Sequence, residues 1–83
     1  MNQAGIRVYG AEWCDDCRRA KRFMDQRGIP YQWIDIQDDA EAKEFVKKLN
    51  HGKQIIPTIV FDDDSFLVEP SNSQLARKLG VIT

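Results

Sequence analysis

The chain has 83 residues, 42% of them hydrophobic and 30% charged, with 12 lysines and arginines against 13 acids and a net charge of -1 at neutral pH. This length and apolar content fill one small core, so a single domain over residues 1–83 is expected. The near-neutral, mixed charge offers no general attraction to nucleic acid or to an anionic membrane, and no apolar run is long enough to span a bilayer.

In chain order the elements read as βαβαββα. The start, MNQAGIRVYG, lacks the basic and hydrophobic regions of a secretory signal, so a cytoplasmic location is expected. Within it IRVYG, residues 6–10, is rich in β-formers and predicts the first strand. From about Asp15 to Arg27 the positions Cys17, Ala20, Phe23 and Met24 recur at helical spacing, with Gly28 as the stop before Pro30. YQWIDI at 31–36 predicts a second strand. DDAEAKEFVKKLN predicts a second helix with Ala42, Phe45, Val46 and Leu49 on one stripe. Asp38 with Glu41 has capping-box spacing at its start, and Gly52 lies past its basic end. After Pro57, TIVF and SFLV flank a polar DDD turn and predict a hairpin. Ser71 with Gln74 predicts a second capping box, opening a last helix that ends at Gly80. The fold class is α/β: a parallel βαβ unit crosses over right-handedly, the hairpin completes a mixed four-stranded sheet, and helices cover both faces.

Chemistry concentrates in AEWCDDCRRAK, residues 11–21, which holds Cys14 and Cys17, the only cysteines. Three uses are open: a structural bridge, a metal clip, or a redox pair. A bridge from 14 to 17 closes a tiny loop, constrains the unfolded chain little and is a poor stabiliser. Zinc needs about four ligands, and one CxxC with a distant His51 and scattered acids falls short. Redox chemistry fits better. Cys14 falls between the C-terminal end of a strand and the N-terminal end of a helix, where unpaired amides and the helix dipole favour a negative sulfur, and it should be the exposed member. Cys17, one turn on, can attack a mixed disulfide formed at Cys14. Asp15 and Asp16 place like charge beside that sulfur, while Arg18, Arg19, Lys21 and Arg22 oppose them. The basic run serves either as a solvated helix face or as an attractor of acidic substrates.

The strand ending in VYGAEWC, the motif CDDC and the later IIPTIVF resemble the thioredoxin superfamily and, at this length, the glutaredoxins. The segments IDI, EFVKKLN and EPSNSQLARKL are most similar to the mycoredoxin branch of actinobacteria. The resemblance covers nearly the whole chain. It implies the thioredoxin fold and a thiol-disulfide oxidoreductase that reduces protein or mixed disulfides, with Cys14 attacking and Cys17 resolving. It also implies a cis Pro57 against the active sulfur and backbone hydrogen bonds from Ile56 to a bound thiol or peptide. From position alone, Pro57 reads as a trans residue opening a strand.

Three positions depart from glutathione-using members: Ala11 stands where they carry lysine, Asp16 where they carry an aromatic, and VEPSNS where they carry Gly-Gly before the last helix. Mycothiol, or direct reduction by a flavin-dependent thioredoxin reductase, therefore competes with glutathione as electron donor, and no bound cofactor is expected. Lys53, Ser71 and Asn72 could hold a carboxylate or sugar hydroxyl, or be a solvated lysine and an ordinary helix cap. Trp13 is a packing anchor or a lip of the substrate groove. Trp33 and Tyr31 read as strand residues, and Tyr9, Phe61 and Phe66 as core or its margin. An iron-sulfur cluster shared between two chains, through Cys14 of each plus external thiols, is the alternative from another class, and a redox-inert interaction module is a third. DDDSF lacks the spaced oxygens of a calcium loop. Disulfide-containing proteins are the expected partners, nucleic acid and membrane are not, and a monomer is expected.

Overall fold

The computed structural model describes residues 5–81. Its elements are β1 (Ile6–Gly10), α1 (Asp15–Gln26), β2 (Tyr31–Asp35), α2 (Ala40–Leu49), β3 (Thr58–Val60), β4 (Phe66–Val68) and α3 (Asn72–Leu79). The sheet order is β2-β1-β3-β4, with β1 and β2 parallel and the other pairs antiparallel. This is the mixed four-stranded thioredoxin fold expected from the sequence.

Strand alternation divides the core between two faces. Val8 and Ile59, opposite one another in the β1/β3 ladder, point toward α1 and α3, where they meet Ala20, Phe23, Met24 and Leu75. On the reverse face Tyr9 and Val60 pack with Ala42 and Val46 of α2, and Ile36 closes that cluster. Phe61 is buried with the first group, whereas Phe66 lies exposed at the margin.

The helix ends follow local chemistry. At the end of α1, Ile29 donates its amide to the Met24 carbonyl and Gly28 to that of Asp25, with Gly28 at φ +65°. Those paired bonds are a Schellman closure, and they need a residue that tolerates positive φ. The Ser71–Gln74 capping box is present at α3, and Gly80 ends that helix in the left-handed conformation.

One cap differs from expectation. Asp39, not Asp38, caps α2: its carboxylate accepts from the Ala42 amide at 3.0 Å, while the Asp38 amide closes a turn onto the Asp35 carbonyl. The third helical residue is then Ala42, so no reciprocal side-chain bond can form and the box expected from Asp38 and Glu41 is absent.

Candidate active site

Cys14 is the residue that caps α1. Its φ/ψ of -84°/114° is extended, and its Sγ accepts the backbone N–H of Cys17 at 3.2 Å. A sulfur in this position lies at the positive end of the helix, where orphan amides favour negative charge. The carboxylates of the first turn are paired with bases one turn on. Arg18 pairs with Asp15 and also donates to the Glu12 carbonyl at 2.6 Å, and Arg19 approaches Asp16 at 3.5 Å.

Cys14 is 8% exposed and Cys17 is wholly buried. Cys14 is thus the more accessible sulfur but not an open one; it is reached from a groove of about 750 Å³ that it lines together with Trp13, Ile55 and Ile56. Trp13 is 67% exposed and forms a large apolar lip on that groove. A depression of about 810 Å³ on the α2 face contains neither cysteine, so chemistry and not size identifies the site.

The second sulfur sits beneath the first. Burial pushes the Cys17 thiol up to about 12, and a hydrogen bond to the Cys14 side chain acts in the same direction. Cys17 is therefore held as a proton-bearing donor to Cys14. Its pocket exists because Gly10 has no side chain: a Cβ there would stand 2.6 Å from Cys17 Sγ and 2.8 Å from Cη2 of Trp33. The Trp33 ring packs over the cysteine cluster, and the Lys21 ammonium lies 3.8 Å from its centroid.

Opposite Cys14, the Ile56–Pro57 peptide bond is cis. Two buried polar side chains hold that loop. Thr58 donates its hydroxyl to the Ile55 carbonyl at 2.8 Å and accepts from the Asn50 amide at 3.2 Å, and Asn50 also donates to the Val46 carbonyl. Both are buried, and each bond satisfies a group that would otherwise be costly there. Among the described residues nothing hydrogen-bonds to the backbone N–H or C=O of Ile56. Those two groups beside the groove suit an extended peptide or thiol ligand. The described residues contain no group of three or more His, Cys, Asp or Glu side chains placed to hold a metal ion.

The glutaredoxin family model matches residues 6–66. The chain belongs to the glutaredoxin family. It is 35% identical over 79 residues to a Mycobacterium tuberculosis protein provisionally assigned as a glutaredoxin, covering 95% of this chain and 94% of the other. It is 32% identical over 76 residues to Mycoredoxin 1 of Corynebacterium glutamicum, covering 92% and 94%. The crystal structure of glutaredoxin 1 from Archaeoglobus fulgidus superposes with a TM-score of 0.75 at 22% identity, covering 94% and 88% of the two chains, which supports the fold. With its CxxC pair, this glutaredoxin is a thiol-disulfide oxidoreductase of the glutaredoxin type.

Of the residues singled out from sequence, Trp13, Cys14 and Ile56 line one groove, with Cys17 behind and Pro57 alongside. Lys53 is exposed and next in sequence to the lining residue Gln54. Ser71 and Asn72 are otherwise engaged: the Ser71 hydroxyl caps α3, and Asn72 Oδ1 accepts from Arg19 at 2.9 Å. Sequence reasoning missed Gly10, Trp33, Asn50 and Thr58. A glycine ending β1 just before the cysteines was the one available signal for a close approach.

Proposed function

We propose that this glutaredoxin, acting as one domain, reduces protein or mixed disulfides by successive use of its two thiols. Cys14, as thiolate, attacks one sulfur of the substrate disulfide, forming a new S–S bond while the other sulfur leaves as a thiolate and takes a proton from water. Cys14 then no longer offers Cys17 a negative acceptor, so the influence of that hydrogen bond in keeping the proton on Cys17 is removed. Cys17 loses its proton to solvent and attacks Cys14 Sγ, which expels the second substrate sulfur and leaves an internal disulfide. Two electrons have passed from the dithiol to the substrate.

The observation that carries this reading is the placement of Cys14 Sγ, bound to the Cys17 amide at the start of α1 and reached through the groove walled by Ile56. The unpartnered backbone of Ile56 supports a role in aligning the incoming chain, with Trp13 shaping one wall and the buried Pro57 fixing the Ile56 peptide behind it. Electrons return from a low-molecular-weight thiol or a flavin-dependent reductase. Similarity to Mycoredoxin 1, together with Ala11, Asp16 and the VEPSNS segment, favours mycothiol over glutathione. A dithiol that must be regenerated by such donors suits the cytoplasm, where it contributes to electron transport and redox homeostasis as a monomer.

The deciding test is adduct capture. Cys17→Ser protein is incubated in cell extract, and the intact mass reports what is bound to Cys14. A disulfide-linked polypeptide or small thiol on that residue is the expected result, and the mass of the small thiol names the donor. Recovery of unmodified protein after exposure to disulfides would overturn the mechanism.

A further inference from the structure

The groove reached by Cys14 is walled by carboxylates, and one of them is held there against its backbone preference. Asp15, Asp16 and Glu69 line it, and no lysine or arginine does. Asp15 and Asp16 have cationic neighbours in Arg18 and Arg19, whereas no salt bridge among the described residues involves Glu69. Glu69 is exposed and adopts φ +49°, the left-handed region in which glycine is the unstrained choice. His51 and Asp64 share that conformation in turns that do not line the groove, so what distinguishes Glu69 is its place beside Cys14 without a salt-bridge partner among the described residues.

The surroundings here are specific. The Glu69 amide donates to the Pro57 carbonyl at 2.8 Å, tying the residue to the loop that faces Cys14. One residue on, the Pro70 carbonyl accepts from Arg19 at 3.1 Å, and Arg19 also donates to Asn72. The basic run on α1 is thereby largely committed to the protein itself: Arg18 to Asp15 and the Glu12 carbonyl, Arg19 to the turn before α3, and Lys21 to Trp33 and Glu12. Those cations are engaged in ways that an acidic substrate would have to disrupt.

The geometry points to Glu69 as a specificity-determining residue that selects disulfides flanked by cationic side chains. Its carboxylate, with Asp16 also lining the groove, attracts lysine or arginine beside a substrate half-cystine and repels a carboxylate there. The preferred substrate class is therefore a disulfide in a basic polypeptide segment. This rests on the dithiol reading above. Lys53, exposed beside Gln54 on the groove wall, acts in the opposite sense and tempers the preference.

Three symmetric peptide disulfides of the form Ala-Xaa-Cys-Xaa-Ala, with Xaa lysine, serine or glutamate, test the inference. The second-order rate of oxidation of the reduced protein is measured by acid quench and alkylation. The lysine peptide should react about tenfold faster than the glutamate peptide at low salt, and the ratio should shrink toward unity in about 0.5 M salt as the field is screened. Glu69→Gln should cut the low-salt ratio to about threefold or less. Glu69→Gly should do the same while raising the melting temperature, because it relieves the positive φ; a purely structural role predicts no change in the ratio. Lys53→Gln should increase the ratio. Glu44→Gln, the same change in net charge on α2, should leave it alone. A ratio near one in the parent protein, or one unchanged in both Glu69 variants, overturns the assignment while reduction itself stands. Failure to react with all three peptides removes the dithiol reading beneath it and the inference together.

Discussion

Helices α1 and α3 begin alike and end up doing different things. At α3 the Ser71 hydroxyl accepts the Gln74 amide at 3.1 Å, and the Gln74 side chain accepts the Ser71 amide at 2.7 Å, so two otherwise orphaned donors are satisfied reciprocally. At α1 the same position is Cys14, whose sulfur accepts the Cys17 amide at 3.2 Å. The third helical residue there is the other cysteine, and the Cys14 amide turns instead to the Ala11 carbonyl. A thiol is a weaker acceptor than a hydroxyl, so α1 has the poorer structural cap. The same amides that would satisfy a serine stabilise negative charge on a sulfur. One geometry closes a helix; with sulfur in place of oxygen it suits the nucleophile we propose.

The largest expected effect would break that equivalence. Cys14→Ser installs a better cap and removes the sulfur. Turnover of disulfide substrates should fall at least about a thousandfold, while the denaturation midpoint holds or rises. Measured together, activity and unfolding test both halves of the comparison. A serine variant that kept turnover would show that the chemistry lies elsewhere.

Next in size is the pocket that distinguishes α1 from α3, the one behind Cys17. Gly10→Ala would ordinarily help a strand by reducing backbone freedom, but here its methyl meets Cys17 Sγ and the Trp33 ring, both nearer than 3 Å. Overpacking of this kind should destabilise the fold by roughly 1–3 kcal/mol in denaturant titrations. It should also slow closure of the internal disulfide more than formation of the mixed one. Equal slowing of both steps would mean that Gly10 has no particular link to the resolving sulfur.

How much of this contrast was legible beforehand depended on how local the cause was. The Ser71–Gln74 box, the Gly28 and Gly80 stops and the placement of Cys14 before a helix could be read because each depends on residues within a few positions. The start of α2 could not be fixed, because Asp38 and Asp39 carry the same carboxylate and only the turn onto Asp35 selects between them. Trp33 reads as a strand residue until parallel pairing sets it opposite Val8 and beside Cys17. Asn50 and Thr58 meet only after α2 has packed on the sheet, so the brace on the Ile55–Pro57 loop had no sequence signature. The basic run after Cys17 left its partners open, and folding directs much of it to backbone carbonyls and nearby acids.

A subtler difference concerns pH. The fold raises the Cys17 thiol from 9.0 to about 12, chiefly through burial. Between those values the unfolded chain releases this proton while the folded chain keeps it, so the unfolded state binds fewer protons and stability falls as pH rises. The contribution is complete below about pH 9 and is lost toward pH 12. Equilibrium unfolding across that interval should therefore slope downward, and more steeply than in Cys17→Ala. Parallel slopes would remove the buried thiol as the cause. The serine cap of α3, which does not titrate in this range, contributes no such slope.

The smallest effect belongs to α3 itself. Ser71→Ala deletes the oxygen that accepts the Gln74 amide and should cost about 1 kcal/mol, while Ser71→Asp, another good cap, should recover most of it. Disulfide reduction well below the melting temperature should follow that stability pattern and not the identity of the side chain. Loss of turnover in the alanine variant with an unchanged melting temperature would make the start of α3 part of the binding surface. The two helix starts would then share a role in function as well as in geometry, and the division between a structural cap and a reactive one would fail.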